Sequence, residues 1–138
     1  MPETYSISID EPHCRPPRRP ADARSTVRRV VAERCRDRHQ SLGPGAMDDA
    51  LLVASELTTN AIVHGGGITG FDVDVDSAGV RVSVSDRSTE LPVTRTTPPG
   101  PSQRHGRGWP IVCHLARDVR VSELPCGGKR ITAVVPLA

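Results

Sequence analysis

Three polar residues recur at intervals of four along a segment whose other residues are mostly apolar. Glu56, Asn60 and His64 lie within residues 48–64, which read DDALLVASELTTNAIVH. On a helix, a spacing of four places side chains on one face, so these residues are predicted to form a polar stripe. A carboxylate and an amide are costly to bury unless they face a ligand, a metal or fixed water. The spacing therefore indicates a binding site along this helix.

A second candidate is Asp86, at the end of an alternating strand pattern. It continues the series Val80, Val82 and Val84, so side-chain parity predicts that it leaves the sheet on the buried, helix-covered face. A buried carboxylate there can accept a hydrogen bond from an exocyclic amine of a base. The alternative interpretation is an aspartate that only caps a turn, because Asp-Arg-Ser also resembles the start of a loop.

A third candidate is the glycine-rich segment Gly106-Arg107-Gly108, which precedes an apolar helix. Pro110 suits the first turn of that helix, where its missing N–H is no loss. Glycines at a helix N-terminus leave backbone N–H groups and space for phosphate oxygens, and the helix dipole adds attraction. If the ligand is a nucleoside triphosphate, Asn60 can hold Mg²⁺ through its carbonyl oxygen and Glu56 can orient or deprotonate an attacking hydroxyl.

Composition narrows the function classes. The 138 residues favour a single domain with a net charge of +2. Arginines cluster between residues 15 and 38, but acidic residues are interspersed, so a solvated helix face is favoured over a nucleic-acid arm. Aromatic residues make up 2% of the chain, which argues against base-stacking platforms. No apolar run reaches membrane-spanning length and no signal peptide is evident, so the cytoplasm is the predicted location.

The four cysteines show no CxxC pairing and are interpreted as reduced thiols that mainly pack. A metal site built from the pairs His13-Cys14 and Cys113-His114 is a weaker alternative. Residues 1–20 are predicted to hold a short strand and a connector rich in proline and arginine, and residues 21–138 a single domain.

The elements that must position the candidate residues are predicted in the order strand, helix, helix, hairpin, lid, helix, hairpin. A proline-rich stretch without periodicity, 88–105, is predicted to be a functional lid or to lack order. The predicted fold is an α+β two-layer sandwich, with a mainly antiparallel mixed sheet covered on one face by helices. The predicted elements are a strand at 5–9, helices at 21–38 and 48–64, a hairpin at 71–76 and 80–85, a helix from 106 to 116, and a hairpin at 119–122 and 130–135.

Taken in order, three motifs resemble a known ATP-binding domain. They are ELTTNAIVH at 56–64, VSDRS at 84–88 and GRGWPIV at 106–112. They are similar to the domain shared by gyrase, histidine kinases and MutL, with its Bergerat-type fold. The closest similarity is to the stand-alone anti-sigma-factor serine/threonine kinases of actinomycetes, whose last hairpin the segment 128–132 also fits.

The resemblance implies roles for individual residues. Glu56 would be the general base or water-positioning residue, and Asn60 the Mg²⁺ ligand. Asp86 would bind the adenine amine, with Ser88 in the altered loop beside it. The remaining nucleotide-binding positions implied by the resemblance are Gly106, Arg107 and Gly108 at the phosphates and Thr132 near the adenine through a shared water.

Two functions follow from the resemblance. The leading hypothesis is an ATP-dependent protein kinase and anti-sigma factor, which phosphorylates a serine or threonine of an antagonist protein, sequesters a sigma factor, or does both, and which could form a homodimer. The alternative is a regulatory module that binds nucleotide without transferring phosphate, or has lost nucleotide. It is supported by a departure from the family pattern. Asp86 is followed by Arg-Ser-Thr-Glu, whereas the family usually has glycines after this aspartate. A sensor histidine kinase is a third, weaker choice, because no phosphoacceptor hairpin precedes the domain.

Overall fold

A computed structural model describes residues 16–90 and 108–138. The predicted strand at 5–9, most of the predicted lid, and both Gly106 and Arg107 lie outside these residues. The described elements, in chain order, are α1 (Pro20–Asp37), α2 (Ala46–His64), β1 (Ile68–Asp76), β2 (Gly79–Asp86), α3 (Gly108–Leu115), β3 (Asp118–Glu123) and β4 (Lys129–Val135).

The described strands form one sheet in the order β1-β2-β4-β3. Each neighbouring pair is antiparallel, so the sheet is antiparallel throughout these residues rather than mixed. The helices pack on one face of the sheet, which confirms the predicted α+β two-layer architecture. The strand order places β2 and β4 side by side at the centre of the sheet.

The apolar layer between helices and sheet holds the fold together. Full burial of a valine or leucine is worth roughly 1.5–3 kcal/mol. Most ion pairs outside this layer are exposed and contribute about 0–1 kcal/mol each, as the Arg19–Asp22 pair illustrates. The packing of this layer, rather than surface charge, therefore fixes how the helices sit on the sheet. Its fully buried members include Val27 and Val31 of α1, Val53 and Leu57 of α2, and Val75, Val80, Val82 and Val135 of the sheet.

The helix α2 that carries the polar stripe begins two residues before its predicted start at Asp48. Its N-cap is Gly45, which adopts a left-handed conformation with φ of 82°. At the other end, the helix stops before three glycines, of which Gly66 and Gly67 have positive φ of 77° and 112°, whereas Gly65 has φ of −104°. The backbone angle of Gly65 therefore does not require glycine.

The β1–β2 turn is stabilised by Asp76. Its Oδ1 accepts a hydrogen bond from the backbone N–H of Ala78 at 2.8 Å, and its Oδ2 lies 2.8 Å from an Arg81 guanidinium nitrogen. The Ala78 hydrogen bond is the largest influence that lowers the pKa of Asp76, with Arg81 adding to it. The turn therefore favours the ionised carboxylate.

The lowered pKa of Asp76 predicts a pH-dependent contribution to stability. The contribution is present above the unfolded-state value of about 4 and is lost as pH falls through the lower folded-state pKa. We expect less than about 1 kcal/mol, because the side chain is 37% exposed and solvent screens the charge. Urea unfolding at pH 7 and pH 3 should show a smaller pH-dependent loss in Asp76→Asn than in the wild type, with the exposed Asp72→Asn as control. An equal loss in Asp76→Asn and the wild type would contradict the assignment.

Candidate functional site

A cleft lies between α2 and the N-terminal half of α3. The α2 stripe predicted from sequence forms one wall, with Glu56 and Asn60 on successive turns and His64 beyond them. The facing wall begins at Gly108, the first residue of α3. The structure therefore brings the predicted stripe against the predicted glycine-rich helix start. The cleft is lined by Glu56, Leu57, Thr59, Asn60, His64, Gly108, Trp109 and Val112.

The two walls meet closely at Glu56 and Gly108. A Cβ added to Gly108 would collide with Oε1 of Glu56, so the Glu56 side chain in this position depends on glycine at the start of α3. The first turn of a helix carries N–H groups without intrahelical partners and the positive end of the dipole. The Glu56 carboxylate therefore lies where an anion is favoured, and it also has a polar partner of its own. The free space in the cleft is about 10 Å³, close to the room needed by one water.

Asp86 lies on the buried side of the sheet, as strand parity predicted. It is 2% exposed and ends β2 next to the C-terminus of α2. A Cβ on Gly65 would lie 2.5 Å from the Asp86 carboxyl carbon, and the backbone N–H of Arg87 donates to the carbonyl of Gly65 at 2.9 Å. Gly65 is therefore required for close approach, and it joins Asp86 to the helix that carries the cleft.

The closest partner of Asp86 is Lys129, a residue that sequence reasoning did not select. Its Nζ lies 3.1 Å from Oδ1 and 2.9 Å from Oδ2 of Asp86, and the two side chains are 3% and 2% exposed. The β2–β4 register pairs Asp86 with Lys129 directly. A signal was present in the sequence, because Lys129 has the same parity as the buried Ile131 and Ala133.

Of two other predicted residues, Ser88 lies beside Asp86, as the resemblance implied, and Thr132 lies next to Ser83. Ser88 contacts Asp86 through its backbone N–H, which donates to Oδ1 at 2.9 Å, while its hydroxyl accepts from the N–H of Glu90. Thr132 pairs with Ser83, and their hydroxyls are 2.9 Å apart. This register puts Thr132 on the sheet face opposite Asp86, because successive strand residues alternate between faces. Lys129, not Thr132, is the β4 residue next to Asp86.

The side chains of the cleft fit a Mg²⁺ ion that arrives with phosphates. Within residues 16–90 and 108–138, no group of three or more His, Cys, Asp or Glu side chains could hold a metal by itself. Mg²⁺ commonly binds through one or two protein oxygens and completes its octahedron with water and substrate phosphates. Asn60 offers one such oxygen in the cleft, facing the start of α3.

Comparison with known proteins agrees with this geometry. Residues 17–135 match the family described as the histidine kinase-like ATPase domain, so the chain belongs to that family. ATP is therefore the ligand class of the fold. A search of curated proteins found no match to the chain. Over the residues that the structure describes, no helix combines the length and hydropathy needed to cross a membrane.

Proposed function

We propose that this chain binds Mg·ATP in the cleft between α2 and α3 and acts as a serine/threonine kinase of the anti-sigma-factor type. It would transfer the γ-phosphate to a serine or threonine of an antagonist protein, sequester a sigma factor, or do both, and it could do so as a homodimer. The observation that carries the proposal is the placement of Glu56 and Asn60, one turn apart on α2, against the glycine that begins α3. Phosphoryl transfer depends mainly on positioning and charge stabilisation, which such a site can supply.

Each residue has a defined task in this proposal. The amide oxygen of Asn60 would hold Mg²⁺, which neutralises phosphate charge when bound. The N–H groups at the start of α3 would donate to phosphate oxygens. Asp86 would accept a hydrogen bond from the base amine. Glu56 would orient the acceptor hydroxyl and take its proton during transfer.

A second candidate function is a regulatory module that binds nucleotide without transferring phosphate. The observation that favours it is that the carboxylates of Asp86 and Glu56 both already have partners. Asp86 is already engaged by Lys129, and Glu56 lies against Gly108 in a cleft with little free space. Such a protein would regulate its partner through ADP- or ATP-dependent contacts, and replacing Glu56 would leave that regulation intact.

Calorimetric titration with Mg·ATP and Mg·ADP tests nucleotide binding directly. Asn60→Ala is expected to weaken Mg·ATP binding about tenfold or more, because the ion loses its protein ligand, and to leave binding of ATP in EDTA unchanged. Ile62→Ala is the control, because Ile62 is exposed on the same helix and does not line the cleft. Equal affinities of wild type and Asn60→Ala in Mg²⁺ would contradict the assignment of Asn60. Absence of ATP binding by the wild type would overturn the proposed function.

A further inference from the structure

Lys129 is distinguished from the other basic residues of this chain by its type and its burial. It is the only lysine among 18 lysine and arginine residues. In the described part of the chain it is also the only buried basic side chain, at 3% exposure. A guanidinium is broad and planar, whereas an ammonium is a compact charge with three donors. A chain that otherwise uses arginine thus carries a lysine where the charge is buried against Asp86.

Stability alone does not account for this ion pair. Replacing a buried pair by apolar residues of similar volume is often neutral or stabilising, because desolvation offsets the Coulomb attraction. The neighbouring positions on the same sheet face, Val84 and Ile131, show that apolar side chains pack well there. The location of the pair is informative instead, since Asp86 adjoins Gly65, the residue that follows His64 of the cleft.

Among the described residues, one donor position and one acceptor position of the pair have no hydrogen-bond partner. The ammonium of Lys129 has three N–H groups, and two of them are directed to the Asp86 oxygens. The carboxylate of Asp86 has about four lone-pair positions. Lys129 uses one on each oxygen, and the N–H of Ser88 uses a second on Oδ1. The remaining N–H of Lys129 and the remaining lone pair of Oδ2 belong to two neighbouring atoms, since Nζ and Oδ2 are 2.9 Å apart.

We propose that Lys129 is a base-reading residue that acts together with Asp86, an inference that rests on the proposed nucleotide function. The pair offers a neighbouring acceptor and donor to the edge of the base. Adenine presents the complementary pattern, because its amine donates and the adjacent ring nitrogen N1 accepts. Asp86 accepts a hydrogen bond from the amine, and Lys129 donates a hydrogen bond to N1. The resulting specificity comes from two charged contacts rather than from a single carboxylate.

The proposal is tested by measuring the affinities of wild type and Lys129→Met for ATP and 1-deaza-ATP, in which N1 is replaced by C–H. The wild type should bind ATP about tenfold or more tightly than 1-deaza-ATP, since a hydrogen bond from a charged donor is lost. Lys129→Met should bind the two nucleotides equally. Arg120→Met, on the exposed edge strand, is the control for loss of a basic side chain and should keep the wild-type preference.

Each outcome bears on one of the two proposals. Wild-type affinities for ATP and 1-deaza-ATP within about twofold of each other would overturn the role of Lys129 and leave ATP binding established. This arm needs no variant, so it holds even if Lys129→Met does not fold. Tighter ATP binding by Lys129→Met would also overturn the inference, because Lys129 would then only compete with the base for Asp86. Failure of the wild type to bind ATP at all would overturn the proposed function, and this inference with it.

Discussion

Replacing Lys129 with methionine is expected to lower the free energy of unfolding by about 3–5 kcal/mol. The substitution removes the ammonium that lies 2.9 and 3.1 Å from the Asp86 oxygens and leaves a carboxylate with 2% exposure inside the sheet. The backbone N–H of Ser88 remains as a donor but cannot neutralise the charge. Urea unfolding at pH 7, followed by circular dichroism, measures the loss directly.

The double variant Lys129→Met/Asp86→Asn separates the loss of the pair from the loss of one partner. Without either charge the buried penalty disappears, so the double variant should be more stable than Lys129→Met. Arg120→Met is the control here as well, since its pair with Asp118 is exposed and should contribute less than about 1 kcal/mol. A Lys129→Met protein within about 1 kcal/mol of the wild type would contradict the reported burial of the pair.

Local patterns in the sequence were enough to predict the elements that carry the site. Spacing on α2 predicted a shared face for Glu56 and Asn60, and both line the cleft. Parity along β2 predicted that Asp86 faces the helices, because alternation in a strand depends only on neighbouring residues. The predicted end of this helix at residue 64 also matches the structure, in which Gly65 follows and allows close approach to Asp86.

Relations between distant segments were not predictable in the same way. The pairing of Asp86 with Lys129 depends on the register of β2 against β4, which are separated by more than 40 residues. The same register places Thr132 opposite Ser83, on the other face of the sheet. A shift of one residue would exchange the two faces, so register must be known before a strand residue can be assigned to a site.

Glu56→Gln is expected to have opposite effects on binding and on turnover. The carboxylate lies at the N-terminal end of α3, where it occupies favourable anion surroundings and would repel phosphates. Removing its charge should therefore raise the affinity for Mg·ATP, by about two- to tenfold. The same change removes the proposed base, so phosphoryl transfer to water should slow by about 10²–10⁴-fold. Calorimetry gives the first quantity and single-turnover phosphate release gives the second.

The two quantities in Glu56→Gln distinguish the kinase from the regulatory module. A kinase requires slower transfer despite tighter binding, because Glu56 would act only when the attacking hydroxyl or water gives up its proton. A binding module requires tighter binding with no change in the basal rate of phosphate release. Weaker binding would contradict the geometry itself, since it would mean that Glu56 does not compete with phosphates at α3. Glu33→Gln, on the exposed face of α1, should change neither quantity and controls for the loss of a carboxylate elsewhere.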